Sequence, residues 1–229
     1  MTDLTTQHFG PSDGGKPRQI VFLLHGLGAN GADLLPLARA LAPAAPAALF
    51  LLPDAPEPCD LVSPEEGRHA RQWFSLRDWR PEAMAAGARS AAQGLGRFID
   101  ESLAAHHLPP EACVLAGFSQ GGMMALFTGL RQSPPPAAIL AYSAILLDAQ
   151  GLGGEIAGRP PILLAHGERD EVVPADWSRQ AATTLRALGL PVTLDLDPAL
   201  GHAIDQRGIL AGQRLLRDAF QTPGSSAAP

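Results

Sequence analysis

At 229 residues, with 46% hydrophobic and 17% charged residues, the chain has the composition of an ordinary globular protein and the length of one sizeable α/β domain, which argues against a disordered or membrane class. A formal net charge of −6, with Lys16 as the sole lysine and the arginines scattered, argues against a nucleic-acid partner. No segment approaches the roughly 20 apolar residues of a membrane helix, and the start lacks a basic stretch followed by an apolar run, so a cytoplasmic protein with no membrane span is expected.

After an N-terminal segment, 1–17, the first strand-length apolar run is IVFLLHG (20–26), followed by a glycine-rich turn and a helical stretch over 31–42. The run AALFLLPD (47–54) leads into a long irregular stretch, 55–80, that contains RQWF. A helix over 81–108 opens with Pro81 in its first turn and stops before Pro109-Pro110. Next come ACVLAGFS (112–119), a helix over 120–131, AAILAYSA (137–144) and a second irregular stretch, 145–159. PILLAHG (161–167), a helix over 174–188, PVTLDLD (191–197) and a helix over 206–220 complete a domain spanning 18–220, and 221–229 read as a flexible tail. Apolar runs alternating with helices predict a mostly parallel sheet covered by helices on both faces. Of the two cysteines, Cys113 falls in an apolar run and Cys59 in a Pro-rich loop, so no disulfide is expected.

The first turn, HGLGANG, matches G-x-G-x-x-G through Gly26, Gly28 and Gly31, and Asp54 ends the next strand. That context suits a dinucleotide pyrophosphate, but the fingerprint continues its strand with an apolar or small residue where His25 stands here. A rival reading begins at GFSQG, in which Gly117, Ser119 and Gly121 form a nucleophile elbow between a strand and a helix. A serine hydroxyl needs a histidine to take its proton and an acid to orient the imidazole, so Asp or Glu and then His should follow in that order. Asp170 in HGERDEVVP and His202 in LGHAID do so, both at strand ends.

His25 and His166, each before a glycine, read as loop-fixing groups near the site, while His106 and His107 suit a solvated helix end. Asp170 competes with Glu168, Glu171, Asp195 and Asp197, and Asp197 ranks second for its closeness to His202. Under this reading the first turn supplies an oxyanion donor: the N–H of Leu27 would act together with that of Gln120.

LLHGLGANG, RQWF, GFSQGG, HGERDEVVP and LGHAID, taken in order over residues 18–218, resemble the carboxylesterase and phospholipase family that includes bacterial carboxylesterases and acyl-protein thioesterases. The resemblance implies an α/β-hydrolase fold without a large cap domain. It implies hydrolysis of carboxylic esters or thioesters, with Ser119, Asp170 and His202 as the triad and Leu27 and Gln120 as oxyanion donors; a serine esterase of this kind is expected to need no cofactor or metal. The Trp-aromatic pair is followed by Ser75, where many members carry Asp.

Trp73 and Phe74 read equally as core residues or, with Leu146 and Leu147, as the lining of an acyl groove. Glu65 and Glu66 read as solvated. The leading expectation is a serine esterase acting on small or medium acyl esters, ahead of a thioesterase or lysophospholipase. A non-catalytic binding protein and a dinucleotide-dependent reductase are more distant alternatives. The partner is then a small ester or thioester, and the oligomeric state stays open, a homodimer included.

Overall fold

The computed structural model describes residues 4–63, 65 and 67–221. All six apolar runs form strands, trimmed by one or two residues at their ends: β2 (Gln19–Leu24), β3 (Ala48–Pro53), β6 (Cys113–Phe118), β7 (Ala138–Tyr142), β8 (Ile162–Gly167) and β9 (Val192–Asp197). They pair in parallel in the order β3-β2-β6-β7-β8-β9. Such strands are buried on both sides, which is why they read as continuous apolar runs instead of alternating ones. A further strand, β1 (Thr6–Phe9), pairs antiparallel with β3 at the sheet edge. It lies within the segment set apart as 1–17, and its polar, half-exposed TQHF offers no apolar run to announce it. Phe9 packs near Phe50, with ring centroids 6.5 Å apart. Within the 55–80 stretch, β4 (Glu57–Pro58) and β5 (Arg71–Gln72) form a small antiparallel pair.

The helix expected over 31–42 divides into a 3-10 turn, Gly31–Leu34, and α1 (Leu35–Leu41). Pro36 has no N–H to give the Ala32 carbonyl, and Leu35 takes that acceptor at the tighter spacing. α2 (Pro81–Ala105) stops short of 108 because His107 turns left-handed at φ 56° while the Leu108 N–H closes back on the Leu103 carbonyl. α3 (Gln120–Arg131), α4 (Asp176–Ala187) and α5 (Gln206–Gln221) lie close to their expected positions. Residues 222–229, nearly all of the expected tail, and Glu66 lie outside the described residues.

Side chains alternate across each strand and so build two cores. Ile20, Phe22, Leu24 and Leu115 pack with α2, α3 and α4, whereas Val21, Leu23, Val114 and Ala116 pack with α1 and α5. Cys113 is fully buried, and burial pushes its thiol up to about 12. Both cysteines are free. Among the described residues no helix is long and apolar enough to cross a membrane. The carboxyl ends of β2, β6, β8 and β9 lie along one edge, where sheets of this kind carry their sites.

Candidate active site

Ser119 connects β6 to α3 at φ 54° and ψ −121°, a strained conformation for a residue with a side chain. Its N–H donates to the Tyr142 carbonyl of the neighbouring strand at 2.8 Å. The flanking glycines are steric necessities. A Cβ on Gly117 would lie 2.3 Å from the Gly121 carbonyl carbon, and one on Gly121 would lie 2.0 Å from the Leu24 oxygen. Helix α3 can therefore start directly against the end of β2.

Asp170 follows β8 and is 6% exposed. Its Oδ1 accepts the N–H groups of Val172 (2.9 Å) and Val173 (2.8 Å), which fixes the carboxylate plane. Oδ2 accepts from His202 Nδ1 at 2.7 Å. Burial pushes this carboxyl up, but the hydrogen bonds from His202, Val173 and Val172 outweigh it and hold it below its ordinary range. An ionised acid on Nδ1 fixes that proton there and leaves Nε2 of His202 as an acceptor.

The loops carrying the pair are joined by main-chain bonds from Glu168 N–H to Asp197 O and from Arg169 N–H to Leu200 O. The His202 ring lies beside Phe118, the residue before Ser119, with centroids 4.7 Å apart. Competing acids are engaged elsewhere: Asp195 with Arg207, Glu168 with Arg179, and Asp197 with the N–H groups of Ala199 and Leu200. Glu171 is exposed.

The other histidines near the edge are structural. His25 is wholly buried, donates from Nδ1 to the Gly26 carbonyl (2.7 Å) and accepts the Ala55 N–H at Nε2 (2.9 Å), a pattern only the neutral ring can satisfy. His166 accepts the Ser178 hydroxyl at Nδ1 and donates from Nε2 to the Val173 carbonyl, each at 2.7 Å. The same Nε2 lies 3.2 Å from Asp170 Oδ2, a contact with no sequence signal beyond its place at the end of a strand. Burial lowers both histidines below the usual imidazole range.

The glycine turn binds its own main chain. Asp54 Oδ1 accepts the Gly31 N–H (2.8 Å), Gly28 donates to Arg71 O, Ala29 to Gly26 O, and Asn30 and Asp33 cap one another. The N–H groups of Gly28, Ala29, Asn30 and Gly31 are thus spent inside the fold, and Asp54 is committed as well, so this turn offers a pyrophosphate little to bind. Among the described residues the N–H of Leu27 takes no partner, nor does that of Gln120 at the start of α3. The turn lies close to the serine, since a Cβ on Gly26 would stand 3.2 Å from Ser119 Cβ.

RQWF is a strut. The Arg71 N–H donates to Ala29 O and its guanidinium to the Ala55 and Pro56 carbonyls, while Trp73 Nε1 donates to His25 O at 3.0 Å. The Gln120 side chain accepts the Trp73 N–H (2.9 Å) and donates to Phe74 O (2.7 Å). Trp73 and Phe74, at 1% and 3% exposure, are core residues here, and the clefts along the edge are lined by others. Leu146 and Leu147 do line a groove of about 350 Å³ with Met84 and Trp177. The segment below it is held by ion pairs of Arg89 and Arg131 with Asp148 and Glu155.

The phospholipase/carboxylesterase family profile matches residues 11–217. The chain is 31% identical over 205 residues to acyl-protein thioesterase 1 of Mycosarcoma maydis, covering 81% of this chain and 83% of that one. Among solved structures it resembles esterase PE8, with a TM-score of 0.86 and 36% identity over 94% of this chain and 99% of that one. It also shares its fold with acyl-protein thioesterase 2 of Zea mays, at TM-score 0.74 and 22% identity over 95% of this chain and 99% of that one.

Proposed function

Because the chain belongs to the phospholipase/carboxylesterase family of α/β-hydrolases, enzymes that hydrolyse ester bonds, we propose that it is a serine carboxylesterase acting on small to medium acyl esters through an acyl-enzyme. His202 Nε2 takes the proton from Ser119 Oγ as the oxygen bonds to the ester carbonyl carbon, and then delivers that proton to the departing alcohol oxygen. Water next attacks the acyl carbon and gives its proton to His202. Collapse breaks the bond to Oγ, which recovers the proton, and the carboxylic acid leaves. Asp170 holds the imidazole tautomer, and the Leu27 and Gln120 N–H groups stabilise the oxyanion in both halves. The acyl chain lies towards Leu146 and Leu147. The observation that carries this reading is the 2.7 Å bond from His202 Nδ1 to a buried Asp170 pinned by two N–H groups, on the sheet edge that also holds the strained Ser119.

Ser119→Ala and His202→Ala should each abolish ester turnover, with the double variant little worse than either, because members of a triad act as a unit. Additive losses would contradict the assignment. Thioester hydrolysis by the same site is favoured by the similarity to acyl-protein thioesterase 1. Rates on oxygen and sulfur esters of one acyl group separate the two activities. The free, buried cysteines support a reducing compartment such as the cytoplasm.

A further inference from the structure

Two clefts of similar size border the sheet edge on opposite faces. The groove of Leu146 and Leu147 lies on the α2 side. The other, of about 360 Å³, lies on the α1 and α5 side and is lined by Leu34, Leu37, Phe118, Ile204, Ile209 and His202. That volume falls within the range of small-molecule sites. The imidazole belongs to the wall of the second cleft alone.

In the mechanism proposed above, His202 hands its proton to the departing oxygen, so whatever that oxygen carries must lie on the imidazole side of the serine. We propose that the α1/α5 cleft is the leaving-group subsite and that it takes uncharged, apolar alcohols of aryl or medium alkyl size. Apart from His202, the one ionisable group in its lining is Asp33, an acid whose Oδ2 already accepts the Asn30 N–H. Among the described residues no arginine or lysine lines it, and the chain as a whole is acidic. A phosphate on the alcohol would lose its hydration against apolar walls and meet an acid instead of a counter-charge. The subsite therefore selects apolar alcohols over the phosphorylated leaving groups of lysophospholipids and coenzyme A thioesters. This inference rests on the assignment of His202 as the proton donor.

The test uses the full chain, methyl acetate and three butyrate esters: of methanol, of benzyl alcohol, and of benzyl alcohol bearing a para phosphate. For the wild type, kcat/KM for benzyl butyrate should exceed that for its phosphate analogue by about tenfold or more. In Ile209→Arg the benzyl-to-methyl ratio should fall about tenfold and the phosphate analogue should gain, while the ratio of methyl butyrate to methyl acetate holds. Pro36→Arg, at an exposed position in the same lining, should shift the ratios in the same direction if Ile209→Arg does not fold. Equal rates for the benzyl ester and its phosphate analogue in the wild type would overturn the proposal. So would alcohol ratios unmoved in a folded variant, and a change confined to the butyrate-to-acetate ratio would assign the cleft to the acyl chain. Failure of the underlying mechanism has its own signature, undiminished turnover by Ser119→Ala or no labelling of Ser119 by a fluorophosphonate.

Discussion

The proposed oxyanion donors, Leu27 and Gln120, differ from the proposed triad in that main-chain donors leave no side-chain signature, so the assignment of the glycine turn rests on which N–H groups the fold leaves unpaired. If the Leu27 N–H binds the oxyanion, Leu27→Ala should keep most of its activity. Leu27→Pro should lose about a hundredfold or more in kcat, the scale for removing one such donor. Ala29→Pro is a poor control, because the Ala29 N–H closes the turn onto the Gly26 carbonyl. Matching circular dichroism and melting temperature in the Leu27 variants serve better. A folded Leu27→Pro enzyme with wild-type kcat would remove this turn from the oxyanion site. At this scale the strained turn at Ser119 was legible because G-x-S-x-G encodes a steric requirement, and the Cβ clashes at Gly117 and Gly121 are its physical content. His166 against Asp170 was not legible, since a histidine before a glycine at a strand end reads the same whether it touches the acid or merely fills the loop.

At the scale of elements, the sheet edge is assembled by the 55–80 stretch, which joins the β2 turn to the start of α3. Gln120 is the buried connector, meeting Trp73 N–H and Phe74 O across 47 and 46 residues of chain. Gln120→Leu keeps the volume but leaves a donor and an acceptor unpaired in the core. It should destabilise the fold by about 1–3 kcal/mol, read from the urea midpoint. It should also lower kcat by less than Leu27→Pro does, since its own N–H remains. A variant as stable as the wild type would show that water or a shifted main chain satisfies the two groups. The strands were legible because burial on both faces writes itself as an apolar run. The strut was not: aromatic residues in RQWF suit a groove or a core equally, and the choice depends on a glutamine far along the chain. Likewise β1 is a polar edge strand whose pairing with β3 is supplied by the main chain.

For the molecule as a whole, the two buried histidines sit on either side of the site, His25 joining the β2 turn to Ala55 and His166 joining β8 to α4 through Ser178. Burial holds both below the imidazole range, although the Gly26 carbonyl favours the charged form of His25, and the Val173 carbonyl and Asp170 favour that of His166. A folded-state value below the unfolded one, about 6.5 for an imidazole, means that the unfolded chain binds more protons. The stability these groups contribute is therefore complete above about pH 6.5 and is lost as the pH falls below it, each adding a slope of up to about 1.4 kcal/mol per pH unit. Asp170 is also held below its ordinary range, so its contribution is present above about pH 4 and is lost at lower pH. Urea midpoints should accordingly stay level from pH 8 to 7 and then decline from about pH 6.5 towards 5. His166→Asn should be less stable at pH 7 but show a shallower decline, because one of the two titrating groups is gone. A midpoint at pH 5 equal to that at pH 7 would mean that the interior accepts both protons freely, and neither ring could then be a neutral strut.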